Sequence, residues 1–177
     1  LAERNVERCD NIISDLLDFS RQRDIQKKSL DIDTWFAELL EELTFPEAVQ
    51  CQWNLTSQAI ALADSERLRR VMVNVITNAL QALDEVPDVN QTLEIKTRIA
   101  DDDCQILVRD NGPGMSAEVM ARIFEPMFST KNFGVGLGVP IIKNIMESHG
   151  GGVAYQSEPG KGTTVTLWLP LAAERTS

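Results

Sequence analysis

Four short patterns fall in one order along the chain: Asn74-x-x-x-Asn78, Asp110-x-Gly112-x-Gly114, Phe124-x-x-x-Phe128 running into Thr130-Lys131, and Gly134-x-Gly136-x-Gly138. Their surroundings place the first inside a long helical pattern, the second at the end of a strand-like run and the last at the start of another helix. A fold that uses them together must bring a helix face, a strand end and a helix N-terminus to one pocket.

Strand-like runs cover residues 49–55, 60–63, 92–100 and 105–109, and a final pair, 152–157 and 163–169, flanks the turn Glu158-Pro159-Gly160-Lys161-Gly162. Alternating apolar residues bounded by Gly, Pro and Asn carry these assignments. Helical periodicity occupies 65–85 and 137–148, and Asp33 or Thr34 is placed to cap a shorter helix running to about Leu43. Strands thus cluster toward the ends of the domain with helices between. That order predicts an α+β fold, a two-layer sandwich of a mixed β-sheet and α-helices, rather than a doubly wound sheet.

Before this domain, Val6, Cys9, Ile13 and Leu16 recur at steps of three and four, and Ile12, Leu17 and Phe19 widen the stripe. So wide a face calls for helix-bundle or dimer packing, with a fold-back onto the chain's own domain as the alternative. Residues 24–33 read as a polar linker with a short strand. The sequence opens at Leu1 within the helical pattern, which suggests a C-terminal piece of something longer.

Composition narrows the partners. A net charge of −10 disfavours a nucleic-acid surface, because a phosphate backbone is repelled by most of such an exterior. An acidic chain can still bind a nucleotide, since Mg2+ and local donors set the field in the pocket. Cys9, Cys51 and Cys104 are odd in number and widely spaced, and read as reduced thiols of a cytoplasmic protein. No apolar stretch reaches the roughly 20 residues that span a bilayer. A membrane anchor would lie in segments outside this chain.

On the 65–85 helix, Leu68, Val71, Val75, Ala79 and Leu83 form the apolar stripe, and Arg67, Arg70, Asn74, Asn78 and Gln81 a polar one. Asn74 and Asn78, at i and i+4, face the same way and can jointly reach a triphosphate and its metal; a plain solvated face is the alternative. Mg2+ keeps most of its waters, so one carboxamide beside the phosphates is a sufficient protein ligand. Asp110 ends a strand, where Asp-Asn-Gly also makes an ordinary tight turn. As a pure acceptor its carboxylate suits the exocyclic amine of adenine and rejects guanine, while Gly112 and Gly114 let backbone approach a base. Phe124 and Phe128 read as core aromatics. After them Ser129, Thr130 and Lys131 offer hydroxyls and a point charge to phosphate oxygens. The loop Gly134-Val135-Gly136-Leu137-Gly138 opens onto a helix N-terminus that favours an anion, with Pro140 tolerated in the first turn. His149, the only histidine, precedes three glycines and reads as a cap on terminal carbonyls.

With Gly162-Thr163-Thr164, these boxes in this order resemble the catalytic and ATP-binding domain of two-component sensor histidine kinases, within the wider superfamily of Bergerat-type (GHKL) ATPases. The resemblance implies a catalytic domain over residues 25–172 and a tail over 173–177. It also implies that residues 1–24 are the second helix of the dimerisation and phosphotransfer hairpin, a long bundle helix that makes the full-length protein a homodimer. It assigns Asn78 to Mg2+ and Asp110 to adenine selection. ATP contacts are implied for Asn74, Asn78, Gln81, Asp110, Gly112, Gly114, Thr130, Lys131, Gly134, Gly136, Leu137, Gly138 and Thr163, with Asn74 and Lys131 assisting transfer. The short lid between Lys131 and Gly134 is similar to that of the nitrogen-regulatory type. ATP and Mg2+ are the implied substrate and metal, and a response regulator receiver domain the implied partner. Hydrolases of the superfamily carry Glu where Asn74 stands; a carboxamide cannot take a proton from water, so Asn74 favours a kinase over an ATPase. A non-catalytic nucleotide-binding module and an anti-sigma-type serine kinase are the competing readings.

Overall fold

The computed structural model describes residues 25–87, 90–130 and 136–172. In chain order the elements are β1 (Lys28–Asp31), α1 (Ile32–Glu42), β2 (Gln50–Leu55), β3 (Ile60–Ala63), α2 (Ser65–Asp84), β4 (Thr92–Ala100), β5 (Asp103–Asp110), α3 (Ala117–Met120), α4 (Gly138–Ser148), β6 (Gly152–Glu158) and β7 (Gly162–Pro170). Five strands form one sheet in the order β2-β4-β5-β7-β6. β2 and β4 run parallel and the other neighbours antiparallel, so the sheet is mixed, as the order of elements predicts. A separate antiparallel ribbon of β1 and β3 adjoins the end of β7 through the Ala61–Leu171 bridge and a hydrogen bond from the Ala172 amide to the Ile60 carbonyl. The bundle-helix stripe of residues 1–24 lies outside the described residues. Among the described residues no helix is long and apolar enough to cross a membrane.

The core follows from two periodicities. On α2 the residues Leu68, Val71, Val75, Ala79 and Leu83 are all buried, together with Met72 and Ile76. Opposite them, alternate residues of the sheet turn inward: Leu93, Ile95 and Thr97 from β4; Cys104, Ile106, Val108 and Asp110 from β5; Val165, Leu167 and Leu169 from β7. The register of β5 is what buries Asp110. It occupies the fourth place of an otherwise apolar row, so its carboxylate faces the helix layer and not solvent.

Two local expectations are corrected. The cap of α1 is Asp31, whose side chain accepts from the Thr34 amide, and neither Asp33 nor Thr34. Ile32 is fully buried and shares the inward face with Phe36, Leu39 and Leu40, which starts the helix earlier. Asp33 instead accepts from the Ser57 hydroxyl at 2.8 Å, the Gln58 amide at 2.6 Å and the Thr97 hydroxyl, tying α1 to β4. Phe124 and Phe128 are half-buried, whereas Ile123 between α3 and Phe124 is the buried residue of that segment. Phe124 meets Tyr155 edge-on at 5.8 Å, and the Arg122 guanidinium lies 4.2 Å from the centre of the Phe128 ring.

His149 caps α4 and is 2 % exposed. Its Nδ1 lies 2.8 Å from the Ile145 carbonyl and its Nε2 accepts from the Asp64 amide at 3.0 Å, so the neutral ring with the proton on Nδ1 satisfies both contacts. It thereby joins the end of α4 to the N-cap of α2. Burial pushes its pKa down, the disfavoured charge outweighing the raising effect of the Ile145 carbonyl. A His whose folded pKa is lowered contributes stability above the unfolded value of about 6.5 and loses it as pH falls below that value. His149→Leu is expected to cost about 1–3 kcal/mol at pH 8, because the half-buried Asp64 amide loses its partner. The wild-type advantage over the variant, measured by thermal denaturation, should shrink from pH 7 to pH 5; an advantage that grows on acidification contradicts the neutral-ring assignment.

Candidate nucleotide site

The start of α4 and the turn after β5 converge on α2. A Cβ built on Gly138, the first residue of α4, would stand 3.7 Å from Asn74 Oδ1 and 3.9 Å from Asn78 Nδ2, so both carboxamides face the start of that helix. One turn further along α2, the backbone of Ala82 lies 3.2 Å from a Cβ built on Gly112, two residues past the end of β5. Asn74, Asn78 and Ala82 form an i, i+4, i+8 row that rises about 12 Å at 1.5 Å per residue. At one end of the row is a helix N-terminus and at the other the buried Asp110. Asn74 and Asn78 are half-buried, while Gln81 stands exposed on the outer rim.

Asp110 is 4 % exposed. Its Oδ1 accepts from the Gly112 amide at 2.9 Å and the Thr163 amide at 3.3 Å, which fixes the carboxylate between the turn after β5 and the first residues of β7. Thr163, picked from the sequence for the site, is thus beside Asp110, and its hydroxyl meets that of Ser157 at 2.9 Å. The close approach depends on two glycines. Gly162 has φ +85°, and a Cβ there would collide with the Asp110 carbonyl oxygen; Gly114 has φ +67°, and a Cβ there would collide with the Glu158 carbonyl. Any other residue would be strained at both positions and would drive the β6–β7 turn off the Asp110 loop. The Gly160 amide completes the contact by donating to the Pro113 carbonyl at 2.7 Å.

The glycine loop is anchored on the phenylalanine segment. The Gly136 carbonyl accepts from the Met127 amide at 3.1 Å, which explains why two patterns distant in character sit so near in sequence. Leu137 is 2 % exposed with its side chain in the core, so only its backbone is available to a ligand. It precedes α4 without a side-chain cap, and the first-turn amides and the dipole make that end suited to an anion. Pro140 is in this first turn, where its missing N–H forfeits no helical bond. Thr130 is exposed. Lys131 and Gly134 lie outside the described residues.

The donor set fits Mg2+ carried in by phosphates better than a metal held by protein alone. Among the described residues no group of three His, Cys, Asp or Glu could hold a metal ion, and the side-chain atoms nearest a Cβ on Gly138 belong to two neutral carboxamides. A cation that keeps several waters and takes phosphate oxygens needs no more than this. Elsewhere, burial pushes the Cys104 thiol up to about 11, as suits an inert core cysteine. Asn111 and Ser157 adjoin the candidate site although the sequence reading does not single them out for it. The Gly162-Thr163-Thr164 run was the one available signal, and it pointed to the neighbourhood without the contacts.

Residues 63–173 match the family described as "Histidine kinase-, DNA gyrase B-, and HSP90-like ATPase". The sensor histidine kinase ZraS of Klebsiella oxytoca is 32 % identical over 97 % of this chain and 37 % of its own length. The C4-dicarboxylate transport sensor protein DctS of Rhodobacter capsulatus is 33 % identical over 96 % of this chain and 26 % of its own. The chain therefore spans between about a quarter and little more than a third of the length of these relatives. The crystal structure of full-length ShkA in complex with AMPPNP superposes with a TM-score of 0.77 at 25 % identity, over 92 % of this chain and 36 % of that one. The catalytic domain of the histidine kinase ThkA has the same fold, with a TM-score of 0.70 over 82 % of this chain and 96 % of that one.

Proposed function

We infer the function of this chain from the family to which it belongs, the histidine kinase-, DNA gyrase B- and HSP90-like ATPases, together with the α2 row that links a buried carboxylate to a helix N-terminus. The chain is the ATP-binding catalytic domain of a two-component sensor histidine kinase. Residues 25–172 form that domain and residues 173–177 a tail. Residues 1–24 supply the second helix of the dimerisation and phosphotransfer hairpin, through which the full-length protein is a homodimer. The carrying observation is the placement of Asn74 and Asn78 against Gly138 at one end of the row and of Asp110 and Gly112 at the other.

In this reading Asp110 takes the adenine amine, with Gly112, Gly114 and Thr163 shaping the base pocket. The first-turn amides of α4, with Gly134, Gly136 and Gly138 before them and Thr130 and Lys131 from the lid, take the phosphates. Asn78 would hold Mg2+ and Asn74 would orient the γ-phosphate. Bound Mg2+ would neutralise charge between the β- and γ-phosphates. A neutral imidazole already holds a lone pair, so the P–N bond can form as the bridging P–O bond breaks and ADP leaves, with no base to activate the attacker. Asn74 at this point suits transfer and not hydrolysis, which requires a group able to deprotonate water. The phosphorylated histidine then serves an aspartate on a response regulator receiver domain.

The acceptor is not His149, whose two ring nitrogens are engaged inside the fold. With γ-labelled ATP and Mg2+, the chain should remain unlabelled and should label a separately supplied phosphoacceptor hairpin from its full-length parent protein. Autoradiography after gel separation reads both outcomes. Label on the chain itself that disappears in His149→Gln overturns the assignment.

A further inference from the structure

We propose that Asn111 is a positioning residue that sets the orientation of the Asp110 carboxylate, and with it the base selectivity of the pocket; this rests on the adenine reading of Asp110. Asp110 is the last residue of β5 paired on both sides, with Leu93 of β4 and with Thr163 of β7. One residue later the strand leaves the sheet. At that point a side chain takes over from the ladder: Asn111 Oδ1 accepts from the Thr92 amide at 2.7 Å and its Nδ2 donates to the Asn90 carbonyl at 2.8 Å, while its own amide makes a long 3.4 Å contact to the Thr92 carbonyl.

The clamp reaches beyond the strand. Gln91, between the two clamped residues, is buried and donates from Nε2 to the Leu83 carbonyl at 2.6 Å, at the last turn of α2. Gly112, on the other side of Asn111, packs on Ala82 of that same turn. Asn111 therefore closes a ring from the end of α2 through the start of β4 to the end of β5, and Asp110 is held inside it. Without the side chain, only the weak 3.4 Å backbone contact would hold this corner on the β4 side, and the peptide between Asp110 and Gly112 would be free to rotate. The Gly112 amide, which orients Oδ1, would move with it. A carboxylate aimed differently still carries its charge, so what changes first is discrimination between an amine and a carbonyl on the base.

The test is calorimetric titration of Mg-ATP and Mg-GTP into the wild-type chain, Asn111→Ala and Asn111→Asp. Two net hydrogen bonds correspond to roughly a tenfold loss. We expect Asn111→Ala to bind ATP about tenfold more weakly with GTP affinity little changed, so that the ATP-to-GTP ratio collapses. Asn111→Asp keeps the acceptor for Thr92 but opposes a carboxylate to the Asn90 carbonyl, and should fall between wild type and Ala; it carries the test if the Ala variant does not fold. ATP and GTP affinities that fall in parallel, or an unchanged ratio in a folded variant, overturn the positioning role in favour of a purely structural one. A wild-type chain that does not distinguish the two nucleotides instead removes the adenine reading on which this proposal stands.

Discussion

Replacing Asn78 by Ala is expected to slow γ-phosphoryl transfer to a supplied phosphoacceptor hairpin by about 10²–10³-fold, the range found when one preorganised polar group is removed from a developing charge. Asn78 sits in the middle of the α2 row, half-buried, with its Nδ2 toward the start of α4 and one helical turn from Ala82, the residue that meets Gly112. The end of the row proposed to take adenine does not depend on it. Adenosine should accordingly bind the variant nearly as well as wild type, while the gain in affinity that Mg2+ gives to ATP should largely vanish. Stopped assays with labelled ATP, alongside titrations of adenosine and of ATP with and without Mg2+, separate these outcomes. A variant that is unfolded by circular dichroism would show Asn78 to be a packing residue and leave the metal role without support.

Part of this geometry was legible in the sequence, because helix periodicity alone puts positions 74 and 78 together, on the flank of the stripe of Leu68, Val71 and Val75. The sheet layer was legible for a similar reason: alternation in β4, β5 and β7 marks an inward face whatever the partner strands are. What the sequence did not disclose depends on partners distant along the chain. Asp33 reads as a helix cap until Ile32 is known to be buried and Ser57, Gln58 and Thr97 are known to stand beside it. Asn111 reads as turn chemistry until Asn90 and Thr92 arrive from the next strand. The half-burial of Phe124 and Phe128 was equally hidden, since aromatics at i and i+4 suit a core as well as a segment that anchors a glycine loop by its backbone.

Asp110→Asn should be the most selective change in the molecule. A carboxylate only accepts, whereas a carboxamide offers one oxygen and one NH2 group. If the new oxygen keeps the contacts from Gly112 and Thr163 now made to Oδ1, the NH2 takes the place of the oxygen proposed to read the adenine amine, and donor meets donor. If the amide flips, the clash moves to the Gly112 and Thr163 amides instead. Either way a donor buried among donors costs about 1–3 kcal/mol, which weakens ATP by roughly tenfold or more. Guanine carries a carbonyl where adenine carries its amine, so the unflipped carboxamide can serve it, and GTP should bind no worse than to wild type and by the same geometry somewhat better. The two nucleotides therefore move in opposite directions in one variant, which general loosening of the fold cannot produce. Parallel titrations of ATP and GTP read the ratio directly, and a ratio unchanged from wild type would remove Asp110 from the base pocket.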